Sequence, residues 1–93
     1  MKVAVFGKNG CDLCKNRLEV AEKTVGHIKR EDVDVEYFDV ETPEGLTELS
    51  FLGAGTDIPV VALLDDDDEV VESWVGPTDV MTTKSLITAI NGG

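Results

Sequence analysis

Lys2-Val3-Ala4-Val5-Phe6-Gly7-Lys8-Asn9-Gly10-Cys11-Asp12-Leu13-Cys14 is the stretch on which the reading of this chain turns. Lys2 to Phe6 is a short β-branched and aromatic run, the composition of a buried strand, and it stops at Gly7 before the turn-forming Lys8-Asn9-Gly10. From Cys14 onward, Cys14, Leu18, Ala21, Val25 and Ile28 fall at steps of four and three, one stripe of an amphipathic helix that ends between Gly26 and Lys29. A Cys-x-x-Cys pair therefore sits where a strand gives way to a helix, the setting in which such a pair is redox-active.

The physical reason is electrostatic. Backbone N–H groups left free at a helix start carry partial positive charge, which favours a thiolate at Cys11 by about 0.3 to 2 kcal/mol. That places the thiol roughly 0.2 to 1.5 pH units below its ordinary value near 8.5. Lys8 adds to the attraction where its ammonium lies near the sulfur and Asp12 opposes it, each by about 1 kcal/mol at most in a solvated site. Cys11 is expected to attack, and Cys14, one turn on, to resolve the mixed disulfide. Helix positions three apart hold Cβ atoms about 5 to 6 Å apart, against about 3.5 to 4.5 Å in a disulfide, so the pair closes only at the irregular first turn.

Other uses of two cysteines have to be weighed. A disulfide closing so short a loop contributes about 2 kcal/mol, less than one closing a long loop, so stapling is a weak reason for this spacing. A zinc site needs four ligands, and the remaining soft candidate, His27, lies roughly 24 Å from Cys11 along a continuous helix at 1.5 Å per residue. His27 reads instead as a cation-capable residue near a helix end. Two chains pooling their cysteines around zinc or an iron–sulfur cluster, or a non-catalytic binding module, is the second reading.

Downstream, Val33 to Val40 alternates with Val33, Val35 and Tyr37 on one side and Phe38 on the other, a second strand. Thr42-Pro43 is a cap followed by a first-turn proline, and Leu46, Leu49 and Leu52 carry a helix to Gly53. Ile58 to Leu64 and Val70 to Val75 read as paired strands joined at Asp65 to Asp68, which lacks the alternating ligands and glycine of a calcium loop and is a solvated turn. Trp74 belongs on a sheet face. Thr78 to Ile90 is a last helix with Leu86, Ile87 and Ile90 inward, stopped by Asn91-Gly92-Gly93. The order is βαβαββα, an α/β fold with a four-stranded mixed sheet and helices on both faces.

At 93 residues the chain is expected to be a single domain over residues 1–93. Nineteen acidic against eight basic residues give a net charge of −11, which disfavours nucleic acid and anionic membrane as partners. No apolar run approaches the roughly 20 residues of a membrane span, and the N-terminus lacks the apolar core of a secretory signal. A cytoplasmic location is expected, where thiols are kept reduced and a cysteine pair is more often chemical than structural.

Three segments in order resemble a glutaredoxin or a closely related small redoxin of the thioredoxin-fold superfamily: residues 5 to 14, Thr56-Asp57-Ile58-Pro59-Val60-Val61, and Gly76-Pro77-Thr78-Asp79. The resemblance implies a thioredoxin-like fold and a disulfide oxidoreductase, an electron carrier of cell redox homeostasis working through Cys11 and Cys14. It implies that Pro59 is a cis-proline beside the active cysteine, that the Ile58 backbone pairs with a bound substrate chain, and that Asp12 and Leu13 border the substrate. It also implies glutathione contacts at Lys8, Gly76 and Asp79. Two departures bear on glutathione: Pro77 stands where a second glycine is usual, removing a backbone N–H, and Asp12-Leu13 replaces the common proline and aromatic. Disulfide-containing proteins are the implied substrates, with glutathione or a flavoprotein such as thioredoxin reductase as donor, no bound cofactor or metal, and a monomeric chain.

Overall fold

The computed structural model describes residues 1–53 and 55–92. Its elements are β1 (Lys2–Gly7), α1 (Asp12–Ile28), β2 (Asp34–Asp39), α2 (Pro43–Leu52), β3 (Val60–Leu64), β4 (Val70–Val75) and α3 (Thr83–Gly92). The strands form one mixed sheet in the order β2-β1-β3-β4, with β1 parallel to β2 and antiparallel to β3, and β3 antiparallel to β4. The most apolar strands, β1 and β3, take the centre because both of their faces are covered there.

Period-two alternation divides the buried side chains between two layers. Val3, Val5, Val61, Leu63 and Trp74 face Ala21 of α1 and Leu86 and Ile90 of α3. Ala4, Phe6, Val60, Ala62 and Leu64 face Leu49 of α2, and Phe38 stacks on Phe6 with ring centroids 5.0 Å apart. Each fully buried side chain of this size contributes about 1.5 to 3 kcal/mol, so the central strands anchor the sheet end from which α1 departs. Trp74 is a core residue of the first layer.

Three elements differ from the sequence expectation. The fully buried positions of α1 are Cys14, Arg17, Ala21 and Thr24, while Leu18, Val25 and Ile28 are half-buried, so the inward face is rotated toward two polar residues. Both have partners, which is the condition for burying polar groups. Thr24 Oγ1 donates to the Val20 carbonyl at 2.7 Å and lies 3.2 Å from Thr83 Oγ1, and the Arg17 guanidinium donates to the Pro77 carbonyl at 3.3 Å and to Asn16 Oδ1 at 3.0 Å.

The last helix begins at Thr83, not Thr78. Residues 76–82 are held as a loop instead, because Pro77 offers its carbonyl to Arg17 and Asp79 Oδ2 accepts the Val75 N–H at 3.0 Å. Helix start passes to Thr82, whose hydroxyl accepts the Ser85 N–H at 3.0 Å while Ser85 Oγ accepts the Thr82 N–H at 2.8 Å, a reciprocal cap. The run from Ile58 is a strand only from Val60, because Ile58-Pro59 forms the approach to it. Tyr37, grouped with Val33 and Val35 on one side of β2, lies on an edge strand and keeps 39% of its surface exposed.

Elsewhere local chemistry and structure coincide. Thr42 caps α2 with Pro43 at its start, and Gly53 ends it in the left-handed conformation. Gly45 lies so close to the Asp39 backbone that no Cβ fits there. The four-aspartate turn is closed internally, with Asp65 Oδ1 accepting the N–H groups of Asp67 and Glu69 at 2.9 and 3.0 Å. Among the described residues no helix is long and apolar enough to cross a membrane.

Candidate active site at the start of the first helix

Two strands bring the site together. In the antiparallel register Val60 lies opposite Phe6, so the chains continue past that pair as Pro59 on one side and Gly7 on the other. The Ile58-Pro59 peptide bond is cis. Gly7 ends β1 directly beneath the first turn of α1: a Cβ placed on it would stand 2.5 Å from Cys14 Cβ and 3.0 Å from both Cys14 Sγ and the Tyr37 hydroxyl. Glycine is thus the residue that lets the helix start settle on the strand end.

Cys11 is the N-cap of α1. Its backbone is extended, with φ −96° and ψ 103°, and its sulfur accepts the Cys14 N–H at 3.1 Å. The two cysteines are joined as a disulfide with Cα atoms 5.2 Å apart. Because the first of the pair lies outside the regular turn, the spacing mismatch of a helix interior does not arise. Their exposures differ: Cys11 is partly accessible, whereas Cys14 retains 1% of its surface.

A cavity of about 370 Å³ opens beside Cys11, lined by Lys8, Asn9, Gly10, Asp12, Lys15, Leu18 and Tyr37. Lys8 and Lys15 bring two cations to the rim of a strongly acidic chain, and Asp12 offsets part of their field. Partial burial of Tyr37, followed by the charges of Asp39 and Glu41, holds its hydroxyl above the ordinary phenol value of 10.0, so it is a protonated donor at neutral pH.

Of the residues singled out from sequence, Lys8, Cys11 and Asp12 share this cavity. Ile58, Pro59 and Gly76 fall outside its lining and form a second cluster, in which the Gly76 N–H donates to the Pro59 carbonyl at 2.9 Å. Leu13 is exposed at 46%. Asp79 turns one carboxylate oxygen back onto the end of β4. Gly76 adopts φ +89°, where glycine is favoured, with the Asp57 carboxylate packed against it.

Two residues of the site were missed. The alternation that groups Tyr37 with Val33 and Val35 on one side of β2 also puts it beside the helix start. Arg17 was passed over because it is three residues past Cys14 on the same helix face, where an apolar residue is expected. It ties α1 to Pro77, whose neighbour Gly76 is bonded to Pro59. Among the described residues no group of three or more His, Cys, Asp and Glu side chains is placed to hold a metal ion, and His27 is exposed in the last turn of α1.

No protein-family model matches the chain, and no curated protein matches it in sequence. Solved structures do. Thioredoxin 1 from the thermophilic eubacterium Thermosipho africanus superposes with a TM-score of 0.72 at 20% identity, over 99% of this chain and 92% of that one. Thioredoxin-2, a component of malaria parasite protein secretion machinery, gives 0.72 at 15% identity over 99% and 82%. StoA from Bacillus subtilis gives 0.66 at 16% over 96% and 81%. The chain therefore has the thioredoxin fold, carrying a disulfide-bonded Cys-x-x-Cys pair at a helix start.

Proposed function

We propose that this chain is a thiol–disulfide oxidoreductase, a small glutaredoxin-like redoxin that reduces disulfides in proteins or small molecules. The observation that carries the reading is the asymmetry of the pair: Cys11 is an accessible helix cap, while Cys14 lies buried under it and bonded to it. A reduced Cys11 thiolate attacks a substrate disulfide and expels one substrate thiolate. Cys14, held within bonding distance, then attacks Cys11 and releases the second, leaving the protein oxidised. The helix start favours the Cys11 thiolate because the Cys14 N–H already donates to that sulfur from the first turn.

The substrate chain would lie along Ile58-Pro59, between Leu13 and Gly76. For the reductant, two features favour a flavoprotein disulfide reductase over glutathione: Pro77 lacks an N–H, and one Asp79 oxygen already serves Val75. The working form is a cytoplasmic monomer without a bound cofactor.

Turnover of insulin disulfides tests the reading. Wild-type protein is expected to reduce insulin and Cys11→Ser to lose the activity; equal rates in the two would overturn it. Comparing reduction of the oxidised protein by glutathione with reduction by NADPH plus thioredoxin reductase separates the two donors.

A further inference from the structure

When a disulfide of this kind is reduced, the incoming thiolate bonds to the accessible sulfur and the electron pair of the broken S–S bond is left on the other. Here the other is Cys14, 1% exposed. A thiolate formed away from water is costly unless a donor meets it. The Cys14 side chain is bordered by Gly7, and the position a Gly7 Cβ would occupy is 3.0 Å from Cys14 Sγ and 3.0 Å from the Tyr37 hydroxyl. Sulfur and phenol thus both border Gly7, and the absence of a Cβ there is what lets the two side chains share that space.

We propose that the Tyr37 hydroxyl donates a hydrogen bond to the Cys14 thiolate as the Cys11–Cys14 bond opens, and so sets how readily the disulfide is reduced. The proposal rests on the thiol–disulfide reading above and adds a residue to it. The step balances without a further reactant. A dithiol reductant such as dithiothreitol attacks Cys11 Sγ through its thiolate, forming a mixed disulfide, and Cys14 Sγ leaves with the electron pair and accepts the Tyr37 O–H. The reductant's second thiolate then attacks its own sulfur in the mixed disulfide, closing the oxidised reductant and freeing the Cys11 thiolate. Tyr37 keeps its proton throughout, and its raised ionisation range keeps it a donor at neutral pH.

The experiment compares wild type with Tyr37→Phe, equilibrating each with dithiothreitol of known oxidised fraction and timing the opening of the disulfide. The substitution keeps the ring and removes only a hydroxyl at a residue 39% exposed, so the fold persists, which an unchanged melting temperature verifies. The expected result is an equilibrium displaced about tenfold toward the disulfide, a potential about 30 mV more negative, with opening slowed because the leaving sulfur is a poorer leaving group. Packing loss alone would lower the melting temperature without that shift. Identical potential and opening rate in the two proteins would overturn the role of Tyr37 while leaving the oxidoreductase reading intact. A wild-type protein unable to exchange with dithiothreitol at all would instead remove the reading on which it rests.

Discussion

The first turns of α1 and α2 are built alike and used differently. Cys11 and Thr42 both cap from extended backbone, at φ −96° and −93°, and each side chain accepts the N–H of the residue three further on, at 3.1 Å in both cases. At α2 the acceptor is a hydroxyl, Pro43 follows at the first position, and Gly45 lets the turn press on Asp39. At α1 the acceptor is sulfur, a weak one. The same geometry thus gives strength where the atom is oxygen and reactivity where it is sulfur, and the helix with the weaker cap is secured by the buried Ala21 and Thr24 further along.

The largest effect that would sharpen this contrast is chemical. Cys11→Ser turns the α1 cap into the α2 kind, and insulin reduction is expected to fall to background while the folded circular-dichroism spectrum persists. Next comes Gly45→Ala, which forces a methyl into the Asp39 backbone; a loss of about 3 kcal/mol or more in urea unfolding is expected, with normal specific activity in the protein that remains folded. A smaller loss, about 1 kcal/mol, is expected for Thr42→Ala, again without effect on the redox equilibrium. A Thr42→Ala protein with altered potential would break the division of labour between the two turns.

The smallest effect concerns alkali. Tyr37 ionises above its ordinary value of 10.0 in the folded chain, chiefly because partial burial desolvates its hydroxyl, so the native state favours the neutral phenol. Stability from this source is full below about pH 10 and is lost as pH rises through the elevated folded value. Wild type is therefore expected to lose more melting temperature than Tyr37→Phe between pH 9 and 11.

What could be read from sequence were features whose cause is local. Thr42-Pro43 and Gly53 bound α2 through the backbone preferences of those residues. The Cys-x-x-Cys pair could be placed at a helix start because Gly7 to Gly10 break the strand before it. What escaped depends on partners distant in the chain. Arg17 is buried by virtue of a carbonyl 60 residues away, and Thr24 contacts Thr83, so neither could be told from a solvated side chain by periodicity. The Thr82-Ser85 cap falls inside the span Thr78 to Ile90 that composition joins as one helix, because nothing local shows that Pro77 and Asp79 are engaged elsewhere. Tyr37 carried the correct side of the strand but not its neighbour, which only the pairing of Val5 with Tyr37 supplies.

The edge strand β2 has a consequence for self-association. Its unpaired backbone would accept a second strand, but Asp34 and Glu36 stand exposed along it, so two such borders meet as like charges. That repulsion reaches about 10 Å in 0.1 M salt and about 3 Å in 1 M, which makes ionic strength the variable that governs whether copies of this chain can zip together edge to edge.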